Sequence, residues 1–140
     1  VDPEFWIALL ARSHPEMERG DYRAALADTR RSMELCGHCS QSATVYGMYL
    51  AQSGDRAGAE AVLADMERRD REGYYPAIGM AGIHNALGRT DKALDLLERA
   101  YEERDVRMAF LKIDRRWSNL RTQPRFIALM EKMRFPATPE

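Results

Sequence analysis

The chain has 140 residues, a formal net charge of -1, 45% apolar residues and 31% charged residues of both signs. That suits one domain with a core, and the balanced charge gives no global attraction to nucleic acid or to an anionic membrane. No apolar run approaches the roughly 18 to 20 residues that span a bilayer, and no signal-peptide pattern is present.

Residues 1–5, Val1-Asp2-Pro3-Glu4-Phe5, admit two readings: an expression scar, or a helix start with Asp2 capping and Pro3 at the first helical position. We take the scar, which implies a chain cut from a larger protein, so that the lack of a targeting segment says nothing of the parent. A first helix is expected over 5–19. Its opening residues, Phe5, Trp6, Ile7, Leu9 and Leu10, are too continuously apolar for an exposed amphipathic helix, and Pro15 should kink it. A helix over 21–36, or a preceding repeat, must cover it. The next helix begins at Ser40 or Gln41, passes through Ala43, Tyr46, Gly47 and Leu50, and ends at Gly54; its partner runs over 56–70. Gly73 and Pro76 punctuate the entry to a hairpin over 74–107, as expected from the avoidance of helix before proline. Beyond it, short helical pieces are predicted over 106–111 and 116–120. A closing helix follows over 123–133, with Thr122 as its cap and Pro124 as its early proline. Pro136 and Pro139 mark a frayed tail, 137–140.

Gly20, Gly54 and Gly88 lie 34 residues apart, and so do Ala25, Ala59 and Ala93. A glycine can take the positive φ that ends a helix, and Ala81, Ala93 and Ala100 lack the bulk that would hold two helices apart. Met80 and Leu97 fill the gaps beside them. The second copy keeps Gly47, Gly54, Ala59 and Leu63; the first keeps Gly20, Asp21, Tyr22 and Ala25 but puts Arg12 and Glu16 where apolar residues are expected.

This spacing resembles the tetratricopeptide repeat family. The resemblance implies an all-α, right-handed α-solenoid of about three helical hairpins, with repeats at about 6–39, 40–73 and 74–107. A cap over 108–136 would cover the last apolar face and complete a single domain, 6–136. More narrowly, Ala86-Leu87-Gly88, the run from Leu97 through Tyr101 to Arg104, Phe110-Leu111-Lys112-Ile113-Asp114 and the run from Leu120 to Phe126 look like the C-terminal end of bacterial multidomain regulators. In that group such repeats follow a winged-helix, kinase or nucleotide cyclase domain. The likeness implies a sensing or scaffolding tail, cytoplasmic, or periplasmic if the parent is membrane-anchored.

In the repeat family the first helix of each hairpin lines a concave binding face. The matching positions are Ile7, Leu10, His14 and Met17; Gln41, Thr44, Met48 and Ala51; and Tyr75, Ile78, Gly82 and Asn85. The stripe is mixed apolar with few charges, and Met48, Ile78 and Tyr75 are expected to project onto one open surface. The alternative is that the cap or a missing repeat covers these side chains. The Lys and Asn set by which chaperone-binding members clamp a carboxylate is absent. The partner implied is a protein or peptide, a second copy of this chain included, and not a nucleic acid or a membrane.

Cys36-Gly37-His38-Cys39 spells the active-site tetrapeptide of protein disulfide isomerases. Thiol-disulfide exchange through Cys36 and Cys39 is therefore the alternative function. That chemistry wants the first cysteine at a helix N-terminus, whereas Cys36 is placed at the end of one, which reads as an inter-repeat loop with two thiols. A zinc site would need about four ligands, and His14 and His84 belong to other hairpins, so no metal or cofactor is expected. His84 reads as a core histidine. No nucleophile triad, phosphate loop or paired acidic motif is present, and no enzyme is expected. Lys112, Arg115, Arg116, Arg121, Arg125, Lys132 and Arg134, with Trp117 and Phe126 among them, form a second alternative, a nucleic-acid contact at the cap; the competing reading is a solvated surface whose aromatics point inward.

Overall fold

Gly20, Gly54 and Gly88 take φ values of 77°, 93° and 76°, the left-handed conformation in which glycine has no Cβ penalty, and each follows the first helix of a pair. At two of the turns an aspartate then starts the second helix. Asp21 accepts from Ala24 N at 3.1 Å and Asp55 from Gly58 N at 2.8 Å, satisfying a backbone donor that the helix leaves open. At the third turn Arg89 stands in that place without a side-chain cap and bonds back to Glu60.

The computed structural model describes residues 5–135. Its helices are α1 (Trp6–Glu18), α2 (Tyr22–Leu35), α3 (Ser40–Gln52), α4 (Arg56–Glu72), α5 (Ala77–Ala86), α6 (Thr90–Glu102) and α7 (Pro124–Met133). Two 3-10 segments, Val106–Phe110 and Arg115–Leu120, connect α6 to α7. No strand occurs among the described residues. The helices pack as sequential pairs, α1 on α2, α3 on α4 and α5 on α6, while α3 also rests on α2 and α5. Of the segment read as a scar only Phe5 is described, as the residue that caps α1; the tail at 137–140 lies outside the described residues.

One expectation at a helix end is corrected. α1 runs through Pro15 to Glu18, within the span expected, because a proline in the last turn removes only one backbone donor. The closing helix is capped by Gln123, with Pro124 in its first turn. Thr122 is one residue too early to reach the first free N–H groups.

The apolar side chains gather into two cores. Leu10, Tyr49, Leu50, Leu63 and Met66 belong to the first, Leu94, Leu97, Leu111, Trp117, Leu120 and Phe126 to the second. α5 serves both: Met80 and Ile83, with Leu87 just past its end, enter the first core, and Ala77, Ile78 and Ala81 the second. Close approach of α3 and α5 depends on glycine. A Cβ on Gly47 would collide with Ile83, one on Gly79 with Thr44, and one on Gly82 would lie 3.1 Å from Met48 Sδ.

The first pair packs differently, which resolves the misfit at Arg12 and Glu16. Arg12 forks onto Asp28 of α2 through Nε and Nη2, so an ion pair fills the place of an apolar contact. Ser13, Thr29 and Ser32 are buried as well. Ser13 and Thr29 donate to carbonyls of their own helices, at Leu10 and Ala25, and Ser32 Oγ donates to Trp6 O of α1 at 2.8 Å.

Candidate binding cleft

α1, α3 and α5 turn the same face toward the segment between α6 and α7, and a cleft of about 490 Å³ separates them. That volume lies within the roughly 300 to 1,000 Å³ common for ligand sites. Leu10, Thr44, Val45 and Ile78 line it from buried positions, with Gly79 bringing α5 against Thr44. His14 and Gln41 stand at its edge, both exposed. Arg107, Phe110, Ile113, Asp114 and Arg116 form the opposite wall. Phe110 is 59% exposed and Ile113 71%, so two large apolar side chains border the opening.

Five of the twelve residues predicted for the concave stripe therefore meet in one site: Leu10, His14, Gln41, Thr44 and Ile78. The other seven do not, among them Ala51, half-buried against the first core, and Gly82, buried in α5. Ile7 is exposed but lies outside the lining residues, and Met17 is half-buried against the first core. Met48, expected to stand open, is 9% exposed, because the absence of a side chain at Gly82 lets it fill the gap between α3 and α5. Tyr75 is buried in the first core and it is Tyr74, 65% exposed, that faces water. Asn85 is committed to holding the C-terminal segment. Its Nδ2 donates to Arg116 O at 2.9 Å and to Asn119 Oδ1 at 3.0 Å, while its own Oδ1 accepts from Asn119 Nδ2 at 2.8 Å.

Sequence reasoning missed the opposite wall. Phe110 and Ile113 are read from the sequence as apolar residues of a cap, and a 3-10 segment has no long period that would reveal which of its side chains point outward.

The cationic groups of the cleft are matched within it. Arg107 donates to Asp105 through Nε at 2.9 Å and Nη2 at 2.7 Å, and its Nη1 reaches Ser40 Oγ of α3 at 3.4 Å. Burial pushes the Asp105 carboxyl up, but the Arg107 bonds and charge outweigh it and hold the group below the usual aspartate range. Arg116 pairs with Asp114 at 2.6 Å and lies over the Trp117 ring. His14 Nδ1 shares a 2.7 Å hydrogen bond with Tyr49 OH. Burial, then the charge of Arg116, lowers the His14 pKa, and burial raises that of Tyr49, so both are neutral near pH 7. The site offers an apolar floor with hydrogen-bonding edges and little net charge.

Cys36 and Cys39 are joined in a disulfide, with Cα atoms 5.5 Å apart, and are not the two thiols expected of the loop. Cys36 does end α2, as the sequence indicates, but Cys39 is the residue that caps the start of α3. His84 is 4% exposed with Nδ1 unpartnered, and burial lowers its pKa. Among the described residues no His, Cys, Asp and Glu group of three or more could hold a metal ion, and no helix is long and apolar enough to cross a membrane. In the basic closing segment Trp117 and Phe126 are 1% and 3% exposed, so neither can stack on a base. Arg125 is engaged by Glu98 and Asp95, and Arg121 by Lys112 O.

No family model matches the chain, and no curated protein or solved structure matches it either.

Proposed function

We propose that this chain is a tetratricopeptide-like binding module, a right-handed helical solenoid that holds a peptide segment of another protein in the cleft between its first helices and the C-terminal 3-10 wall. It acts as a sensing or scaffolding part of a larger regulator and not as an enzyme. The observation that carries this reading is convergence. Leu10, Thr44 and Ile78 come from three separate helices at the spacing at which the repeat family presents its binding residues, and they meet at one site rimmed by exposed Phe110 and Ile113. Because Arg107 and Arg116 already have acidic partners, the occupant that fits is an apolar side chain on a peptide whose backbone reaches Gln41 and the His14–Tyr49 pair. Exposed apolar groups clustered at a concave opening mark interaction sites more often than isolated ones do.

The test is selection of peptides from a displayed random library against the whole chain, followed by titration of the selected peptides. Phe110→Asp and Ile113→Asp should each weaken binding by about 1 to 3 kcal/mol, the range for a contact near the centre of an interface, with the melting temperature little changed. Tyr74→Asp, at an exposed position that does not line the cleft, should leave binding intact. Peptides that ignore both wall variants would refute the reading, and a dimer in sedimentation that Ile113→Asp dissolves would reassign the face to a second copy.

A further inference from the structure

The α2–α3 corner contains a chemistry that peptide binding does not use, and it abuts the cleft. We infer that the Cys36–Cys39 disulfide is an exchange site for small thiols of the glutathione class, and that its oxidation state sets the position of the α3 wall of the cleft. This rests on the reading of the cleft as the binding site.

The bridge contributes little as a staple. It spans a sequence separation of 3, and a disulfide stabilises a fold least when it closes the shortest loop. It is also within reach, since both cysteines are half-buried and the intervening Gly37 and His38 are exposed. Between the two sulfurs His38 has φ 59°, a conformation that costs a residue with a side chain and persists only where the surroundings enforce it. The ring closed by Cys36 and Cys39 is one such constraint, and reduction removes it.

Two links tie the bridge to α3, the first of them leading into the cleft. Cys39 caps α3, and the next residue, Ser40, receives Arg107 from the opposite wall, while Gln41 and Thr44 follow in the cleft itself. The second link is a chain of buried hydroxyls. Ser32 spends its one proton on Trp6 O, so in its 2.8 Å contact with Ser42 it must accept, and Ser42 must donate. Ser42 Oγ is then left with only lone pairs toward Cys39 Sγ, 3.5 Å away. A disulfide sulfur has no proton to give there, whereas a Cys39 thiol does. Reduction therefore changes the bonding at the start of α3 as well as freeing the turn before it.

The exchange balances without any further reagent. A glutathione thiolate bonds to one sulfur of the bridge and the other leaves as a thiolate. A second glutathione thiolate then attacks the glutathione sulfur of the mixed disulfide, releasing oxidised glutathione and the second cysteine thiolate. Two electrons pass from two glutathiones to the bridge, and the thiolates take up protons from water according to pH. In an oxidising compartment the bridge persists, and in a reducing one it opens.

The whole chain is equilibrated with reduced and oxidised glutathione in varied ratio, its thiols are trapped by alkylation and counted by mass, and amide hydrogen exchange is followed in both end states. The expected result is reversible conversion between no thiol and two thiols, with a glutathione adduct at intermediate ratios. Exchange in the reduced form should be severalfold faster over 40–50 and 105–116 and unchanged over 90–102. A Cys36→Ser, Cys39→Ser double variant should exchange like the reduced form at any ratio. A bridge that excess glutathione cannot open in the folded chain would overturn the inference, and so would faster exchange confined to 36–39. If the exchange pattern appears as expected while the selected peptides ignore the wall variants, the cleft reading fails and the redox coupling stands.

Discussion

Positions 68 residues apart in the first and third helix pairs are equivalent by the repeat spacing, yet they hold different chemistry. Arg12 and Asp28 stand where Met80 and Leu96 do, Thr29 where Leu97 does, and Ser32 where Ala100 does. In the third pair the contact is made by apolar surface alone, with Leu97 and Ala100 fully buried. In the first it is made by an ion pair and by the Ser32 hydroxyl, each directed at a particular acceptor across the pair. Helix pairing at this spacing thus needs side chains of suitable size and fully partnered polar groups, and does not need apolarity at every contact. Apolar filling is non-directional, whereas the polar version fixes register through individual bonds.

Truncating the same place in both pairs is the sharpest way to break that comparison. Leu97→Ala should cost about 2 to 5 kcal/mol, the lost transfer energy plus a cavity. Thr29→Ala should cost about 1 kcal/mol or less, since the Thr29 hydroxyl bonds only to Ala25 O and Leu26 O of its own helix and its partners are satisfied otherwise or deleted. Equal losses in urea melts would mean that the two pairs are filled alike. Ser32→Ala falls between them at about 1 to 3 kcal/mol, because it removes the hydroxyl that bonds Trp6 O across the pair and leaves the buried Ser42 hydroxyl without its acceptor. A melt unchanged by Ser32→Ala would show that water replaces the hydroxyl.

The smallest expected effects concern acid, and they have opposite signs. The paired hydrogen bonds of Arg99, aided by its charge and by Tyr75 N–H, hold the Asp70 pKa down against burial. Its contribution is present above the ordinary aspartate value near 3.9 and is lost as pH falls through the lower folded value. Glu16 is raised, first by burial and then by the charge of Asp28, and its Oε2 has no partner. Its contribution is present below the ordinary glutamate value near 4.3 and is lost as pH rises through the higher folded one. Asp70→Asn should therefore destabilise at pH 7 and progressively less as pH falls below the ordinary aspartate value, whereas Glu16→Gln should stabilise slightly at pH 7 and not at pH 3. Stability curves for the two variants that run parallel with pH would remove the distinction.

The helical pairs were legible in the sequence because their causes are local: the positive-φ glycines at 20, 54 and 88, the capping aspartates at 21 and 55, and buried alanines at 25, 59 and 93. The cleft was half legible. Leu10, Thr44 and Ile78 follow from period alone, but the burial of Met48 depends on which residue of α5 faces it, and the Phe110 and Ile113 wall depends on a return of the chain that no periodic pattern encodes. The Arg12–Asp28 pair shows the same limit, since two charges 16 residues apart advertise their partnership only once the helices are paired.

α5 contributes side chains to both cores from opposite sides, and that sharing has a thermodynamic consequence. Stacked helical repeats can lose their ends independently when each repeat touches only its neighbours. Here neither core can open without uncovering the residues that α5 lends to the other, so the described region behaves as one cooperative unit. Trp6 packs against the first core and Trp117 lies within the second, which makes the two indoles spectroscopic reporters of the two cores in a single transition, with coincident midpoints.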